Sequence, residues 1–259
     1  MEYSLIFIPQ GQNMKKNCIL LICLGATFNI FAAESTTTEL ISLKDKVNLA
    51  IAKFENTERK VWSYKISRHE DEEGDITSSI EQYSPQESEP WLLKKINGQL
   101  PTNKQIEDFA KKKQEQNNKS KQGNNIQIKL RQLINQESLS LVSSDEKTIV
   151  MAFNVYLKKL GKDSIGKLEG KLTYQKDEQF IESITVWNNA AFSPMFTANI
   201  TDLAITFTFA HINGSVLTKQ NEMRMKGSFA YFTEINETSL DIYSDYHYHG
   251  EYSSHVDIK

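Results

Sequence analysis

Hydrophobic and polar residues alternate with a period of two through most of the second half of the chain. In TDLAITFTFAH, Leu203, Ile205, Phe207 and Phe209 fall on one side of an extended backbone, and Asp202, Thr206 and Thr208 on the other. This pattern marks a strand with one dry and one wet face. The same rhythm places Ile149, Met151, Phe153, Val155 and Leu157 in phase in TIVMAFNVYL, and Leu168, Leu172 and Tyr174 in phase in KLEGKLTYQ. It returns with Met223, Met225, Phe229 and Tyr231 in NEMRMKGSFAYF, and SLSLV and TSLDIYSDYHYH complete the set. QFIESITVW carries apolar residues on both faces and reads as a central strand covered on both sides. The linkers KDE, INGS and EINE are short, which predicts an antiparallel meander.

The first half is mixed. Leu40, Leu43, Val47, Ala50 and Phe54 recur at three- and four-residue steps and predict an amphipathic helix over residues 36–55. VWSYKISRH and DITSSIEQY follow as strands around an acidic hairpin turn, EDEEGD. WLLKKI is a further strand ending at Asn97-Gly98, a strong turn signal. Pro101-Thr102 introduces a lysine-rich surface helix with only Ile106 and Phe109 as strong apolar contacts, and IQIKLRQLI predicts one to two helical turns. The fold class that follows is α+β and mainly β. It is one large curved antiparallel sheet, a half-open barrel, with two or three helices packed on its concave face.

The N-terminal stretch changes where this fold is expected to work. From Met14, Lys15 and Lys16 precede an apolar run from Cys18 to Phe31, and Ala32-Ala33 offer small residues for cleavage. That order is a secretory signal peptide, with a run shorter than the roughly 20 residues of a membrane span. Residues 1–33 are therefore expected to be a leader, with translation starting at Met14, and residues 34–259 a single exported domain, periplasmic or secreted. Both cysteines, Cys18 and Cys23, lie in the leader, so the mature chain has no thiol for disulfides, nucleophilic catalysis or metal binding. Ile22 stands where a lipoprotein signal would need a small residue before Cys23, so a soluble mature protein is expected. The net charge of -3 gives no basic excess for nucleic acid.

Candidate chemistry is sparse. The sequence has no G-x-S-x-G, H-E-x-x-H, P-loop or G-x-G-x-x-G, and its densest acids, Glu70, Asp71, Glu72, Glu73 and Asp75, occupy a solvated turn. Asp245, His247 and His249 share a strand face that could hold a metal only with help from His69, His211, His255 or a carboxylate elsewhere. The alternative is an ordinary wet face, and no catalytic residue, metal or cofactor is assigned. Charge is segregated: residues 67–89 hold eight acids against Arg68, and residues 94–121 hold eight lysines against three acids. This pattern suits either a docking surface or plain solvation.

WLLKKINGQLPTNKQIEDFAKKK resembles a pattern of uncharacterised proteobacterial exported proteins, in which a Trp-Leu-Leu strand meets Asn-Gly, Pro-Thr and a lysine-rich helix. LEGKLTYQKDEQFIESITVWNNAAFSPMFTANITDLAITFTF resembles their second half, where a Phe-Ser-Pro element joins two long strands. These proteins look like relatives in shape of the carrier and receptor of outer-membrane lipoprotein sorting, a half-barrel with helices across its concave side. That resemblance implies binding of a lipid, acyl chain or lipidated peptide, and it carries over no functional residue. The candidate apolar groove comprises Leu168, Leu172, Ile184, Leu203, Ile205, Phe207, Phe209, Met223, Met225 and Phe229. Two functions are expected from this reading. One is a non-enzymatic carrier with a lipid or hydrophobic peptide guest. The other is an envelope interaction module with a filled core, working through its charged surfaces on a protein partner.

Overall fold

The alternating segments assemble into one open sheet. A computed structural model describes residues 29–121, 129–156, 160–230 and 233–250, so the expected leader up to residue 28 and His255 lie outside the described residues. The chain divides into two compact units, residues 1–38 and 39–259. Of the first, the helical stretch from Asn29 is described; the second holds the sheet and its covering helices.

In chain order the elements are α1 (Asn29–Glu55), β1 (Trp62–Glu72), β2 (Asp75–Tyr83), β3 (Trp91–Ile96), α2 (Asn103–Lys121) and α3 (Leu130–Leu133). Then follow β4 (Ser140–Ser144), β5 (Thr148–Asn154), β6 (Leu168–Gln175), β7 (Phe180–Asn188), β8 (Phe192–Met195), β9 (Ala198–Ile212), β10 (Ser215–Phe229) and β11 (Thr233–Tyr248). The strands run in the order β3-β2-β1-β11-β10-β9-β7-β6-β5-β4, with β8 added to β9. All pairings are antiparallel and the ends do not meet. The meander expected from the short linkers holds from β4 to β11. The three N-terminal strands then join its last strand, with β1 beside β11.

Turn chemistry fixes several of these junctions. β9 and β10 are joined by Asn213-Gly214, both at positive φ (49° and 80°), the backbone of a tight two-residue hairpin. EINE, read as a linker, is instead paired strand, with Ile235 opposite Gly227. Its Ile235 packs against the core, so tertiary contact overrides the weak strand propensity of its Asn and Glu neighbours.

One face of the sheet looks inward, toward the helices. Following opposed residues across the ladder, Arg68, Asp241, Asn221, Phe207, Ile184, Leu172 and Met151 form a single row on that face. α1 covers its apolar end: Leu43, Val47, Ala50 and Ile51 are buried in one cluster with Leu130 and Leu133 of α3 and with the inward residues of β5, β6, β7 and β9. Phe54 closes the helix against Phe209, ring centroids 4.7 Å apart. The other face is wet. β7 therefore differs from expectation: Ile184 and Val186 are buried, but Ser183, Thr185 and Trp187 face the open side and are only half-buried. Thr185 and Thr206 pair their hydroxyls across that side at 3.1 Å.

A glycine sits in the middle of this core for a steric reason. Gly170, opposite Phe153 and Val186, leaves its Cβ position to the Phe153 ring, which would lie 2.3 Å from a methyl placed there.

Candidate functional site

The same inner face changes character toward β11, β1, β2 and β3. Here Glu81 is 5% exposed and is held from two sides. Lys113 of α2 donates to its Oε2 at 2.6 Å, and the Arg68 Nε lies 3.3 Å from its Oε1. Arg68 also reaches Asp241 at 3.2 Å and Glu70 at 3.5 Å. One guanidinium thus serves three carboxylates, and one ammonium pins the helix to the sheet. Burial alone would pull Arg68 down; Asp241, Glu81 and Glu70 outweigh it and hold the guanidinium above its ordinary pKa. Burial lowers the Lys113 ammonium even against its bond to Glu81, and burial raises the Asp241 carboxyl despite Arg68.

Beside these charges lies an aromatic cluster. Tyr64 is ringed by Tyr83, Trp91, Tyr243 and Tyr246 with centroids 5.0–6.0 Å apart within the group. Burial pushes the Tyr243 phenol up to about 12 and raises Tyr64 and Tyr246 as well, so these hydroxyls stay protonated at neutral pH. The bulge at Asp245, φ 55°, puts Tyr243 and Tyr246 on one face although they are three residues apart. The Lys113 ammonium sits 4.0 Å from the Trp91 ring centroid, joining the cluster to α2.

α2 begins with a capping box: the Thr102 backbone N–H donates to Gln105 Oε1 at 2.8 Å, and the Gln105 N–H donates to Thr102 Oγ1 at 3.4 Å. Its contact with the sheet is thin, since Phe109 is half-buried and Ile106 38% exposed. Between helix and sheet lies a cavity of about 380 Å³. Its sheet wall includes Arg68, Thr77, Ser79 and Glu81, and its helix wall Gln105, Asp108, Phe109, Lys112 and Lys113. Three cationic residues (Arg68, Lys112, Lys113) and three acids (Glu70, Glu81, Asp108) line it, so its formal charge is zero. Hydroxyls, carboxamides and balanced charges stand among the apolar surfaces of Leu93, Ile96 and Phe109, which suits a small guest with both polar and apolar parts and no net charge.

The residues read as an apolar groove lie elsewhere on the same face. Leu168, Leu172, Ile184, Leu203 and Phe209 are buried in the cluster with α1. Ile205, Phe207 and Met225 are partly buried against it, and Met223 is half-buried on β10. Phe229, at the end of β10, is 46% exposed. The possible metal ligands are engaged separately. Lys65 binds Asp245 at 2.8 Å and holds its carboxyl below the ordinary range. His247 Nδ1 meets the Asp245 carbonyl, His249 Nε2 meets Ser63 Oγ, and His211 lies 3.3 Å from Glu178. Among the described residues, no group of three or more His, Cys, Asp or Glu could hold an ion.

Sequence reading placed the acidic and lysine-rich runs but not their meeting. The available signal was Glu81 on the same strand phase as Tyr83 and Ser79, and Lys113 one helical turn after Phe109. It becomes legible only once β2 and α2 are known to face each other.

No protein-family model matches the chain, and no curated protein matches it significantly. Among solved structures, the crystal structure of a DUF1329 family protein from Desulfovibrio piger covers 81% of this chain and 94% of its own, with 9% identity and a TM-score of 0.30. So distant a likeness carries no argument about function. Among the described residues, no helix is long and apolar enough to cross a membrane.

Proposed function

We propose that the protein is an exported, non-enzymatic binding protein whose guest lies between the sheet and α2. The observation that carries this reading is the contrast between the two ends of one face. α1 and α3 pack dry side chains onto β5–β9, whereas α2 spans a hollow of about 380 Å³ lined from both sides by polar groups. The guest class that fits is small and without net charge, with an apolar part to lie on Phe109, Leu93 and Ile96 and polar groups to exchange hydrogen bonds with Ser79, Thr77 and Gln105. Export is supported by the order of residues 14–33, and the carrier-like reading by the open sheet with helices on one face, the architecture the half-barrel resemblance implies.

An acyl chain or hydrophobic peptide, the guest suggested by the apolar alternation, would have to replace Leu43, Val47, Ala50 and Ile51 against Leu172 and Ile184. The filled core favours, as a second reading, an envelope interaction module acting through its charged surfaces.

Native mass spectrometry of protein recovered from its own cell envelope tests the proposal. A small adduct that disappears in Ser79→Trp, a substitution that fills the hollow, is the expected result. A lipid-sized adduct that survives Ser79→Trp would move the guest to the apolar half. A clean mass in both proteins, with a protein partner in common, would overturn the proposal for the interaction module.

A further inference from the structure

The chain carries the sequence Ile-Asn-Gly twice, at 96–98 and 212–214, and both copies form tight turns. The first follows β3, with the Ile96 and Gln99 backbones hydrogen-bonded in both directions; the second joins β9 to β10. Their backbones match: φ is 48° and 77° at Asn97 and Gly98, and 49° and 80° at Asn213 and Gly214. Both asparagines are exposed, and both glycines have open space where a Cβ would stand. Local sequence, conformation and access are therefore alike. What differs is the hold on the asparagine.

Asn97 is clasped to β2. Its Oδ1 accepts from the Ser78 N–H at 2.8 Å, and its own N–H donates to the Ser78 carbonyl at 2.8 Å. Asn213 has no such clasp: among the described residues its carboxamide has no hydrogen-bond partner. Asparagine is a thermolabile side chain, and glycine after it leaves the attacking backbone nitrogen without a side chain in its way.

We propose that Asn213 is a site of spontaneous covalent modification, deamidation through a cyclic imide, from which the clasp protects Asn97. The Gly214 nitrogen gives up its proton and bonds to the Asn213 Cγ; the Cγ–Nδ2 bond breaks, and Nδ2 takes up a proton and leaves as ammonia. Water then opens the imide at either carbonyl, giving aspartate or isoaspartate and one added negative charge, with nothing oxidised or reduced. Aspartate tolerates the left-handed backbone as asparagine does. Isoaspartate adds a methylene to the main chain of a two-residue turn, which disturbs the pairing that begins at Ser215 and Ile212. This end of the hairpin is tied to the chain leaving α1: the Val216 N–H donates to Thr57 Oγ1 at 3.2 Å, and Val216 and Leu217 are buried. Isoaspartate therefore loosens the hairpin where it meets that segment.

The test ages the full chain in warm, mildly alkaline buffer, folded or in urea, and follows both sites by peptide mass mapping. The readout is the ratio of the Asn213 rate to the Asn97 rate. It is expected to rise about tenfold on folding, the factor that about 1.4 kcal/mol of net hydrogen bonding gives. A ratio that is unchanged or lower in the folded protein would overturn the proposal. Aged protein carrying isoaspartate, separated from the aspartate form, is expected to exchange its Val216 amide faster than wild type, while Asn213→Asp keeps the wild-type rate. Equal exchange in all three would overturn the structural consequence drawn for the hairpin.

Discussion

Replacing Lys113 with methionine isolates what holds α2 over its hollow. The ammonium donates to Glu81 at 2.6 Å and lies 4.0 Å from the Trp91 centroid; the two side chains are 15% and 7% exposed. A charged hydrogen bond is worth about 1.5–3 kcal/mol and a partly buried cation–π contact about 1 kcal/mol. Stranding a buried charge costs about 3–5 kcal/mol, but Glu81 keeps Arg68 at 3.3 Å, and methionine refills much of the lost volume. The net loss comes to about 2 kcal/mol, or roughly 30-fold in the equilibrium between docked and undocked helix. Trypsin reads this directly, because cleavage of a transiently opened segment follows the population of the open form. Cutting after Lys112, followed by mass, should be about 30-fold faster in Lys113→Met, whereas Lys111→Met, on the exposed side of α2, should change it by no more than about twofold. An unchanged rate in Lys113→Met would mean that Glu81 does not hold the roof, and the description of α2 as an anchored lid would fail.

Other substitutions test the remaining parts. Gly170→Ala forces a methyl into the Phe153 ring and should cost about 1–3 kcal/mol, several degrees of melting temperature for a domain of this size; an unchanged melting curve would show that the ring moves freely. Ile51→Ala empties a fully buried site under α1 and should cost about 2–5 kcal/mol in urea unfolding; a cost under about 1 kcal/mol would contradict a sealed apolar half. Asp241 has a carboxyl raised chiefly by burial, so from about pH 4 upward the folded protein keeps a proton the unfolded chain has lost. Stability should therefore fall as pH rises through that window and level off above the folded pKa. The difference in urea midpoint between wild type and Asp241→Asn should follow that slope; a pH-independent difference would refute it.

Period-two alternation was enough to locate most strands, because each buries one face. TDLAITFTFAH and WLLKKI coincide closely with β9 and β3, and the seam Leu43, Val47, Ala50 did become the buried side of α1. Where both faces carried apolar residues the signal misled: Trp187 in QFIESITVW needs no second layer, since an isolated large side chain is tolerated at a wet surface. EINE misled for the opposite reason, as local polarity hid a strand fixed by its neighbour β10. The closure of β1 onto β11 joins residues nearly two hundred positions apart, and no local pattern encodes it. The candidate site depends on that closure. Arg68 comes from β1, Glu81 from β2, Asp241 from β11 and Lys113 from α2, and each alone reads as an ordinary surface charge.

The central claim is that a guest lies beneath α2 and not beneath α1. Amide exchange should be compared between the protein as recovered from its cells and the same protein unfolded, stripped and refolded in clean buffer. The account predicts that stripping speeds exchange across 103–121 and leaves 43–51 and β6–β7 unchanged. Faster exchange confined to 43–51 and β9, or no difference anywhere, would contradict it.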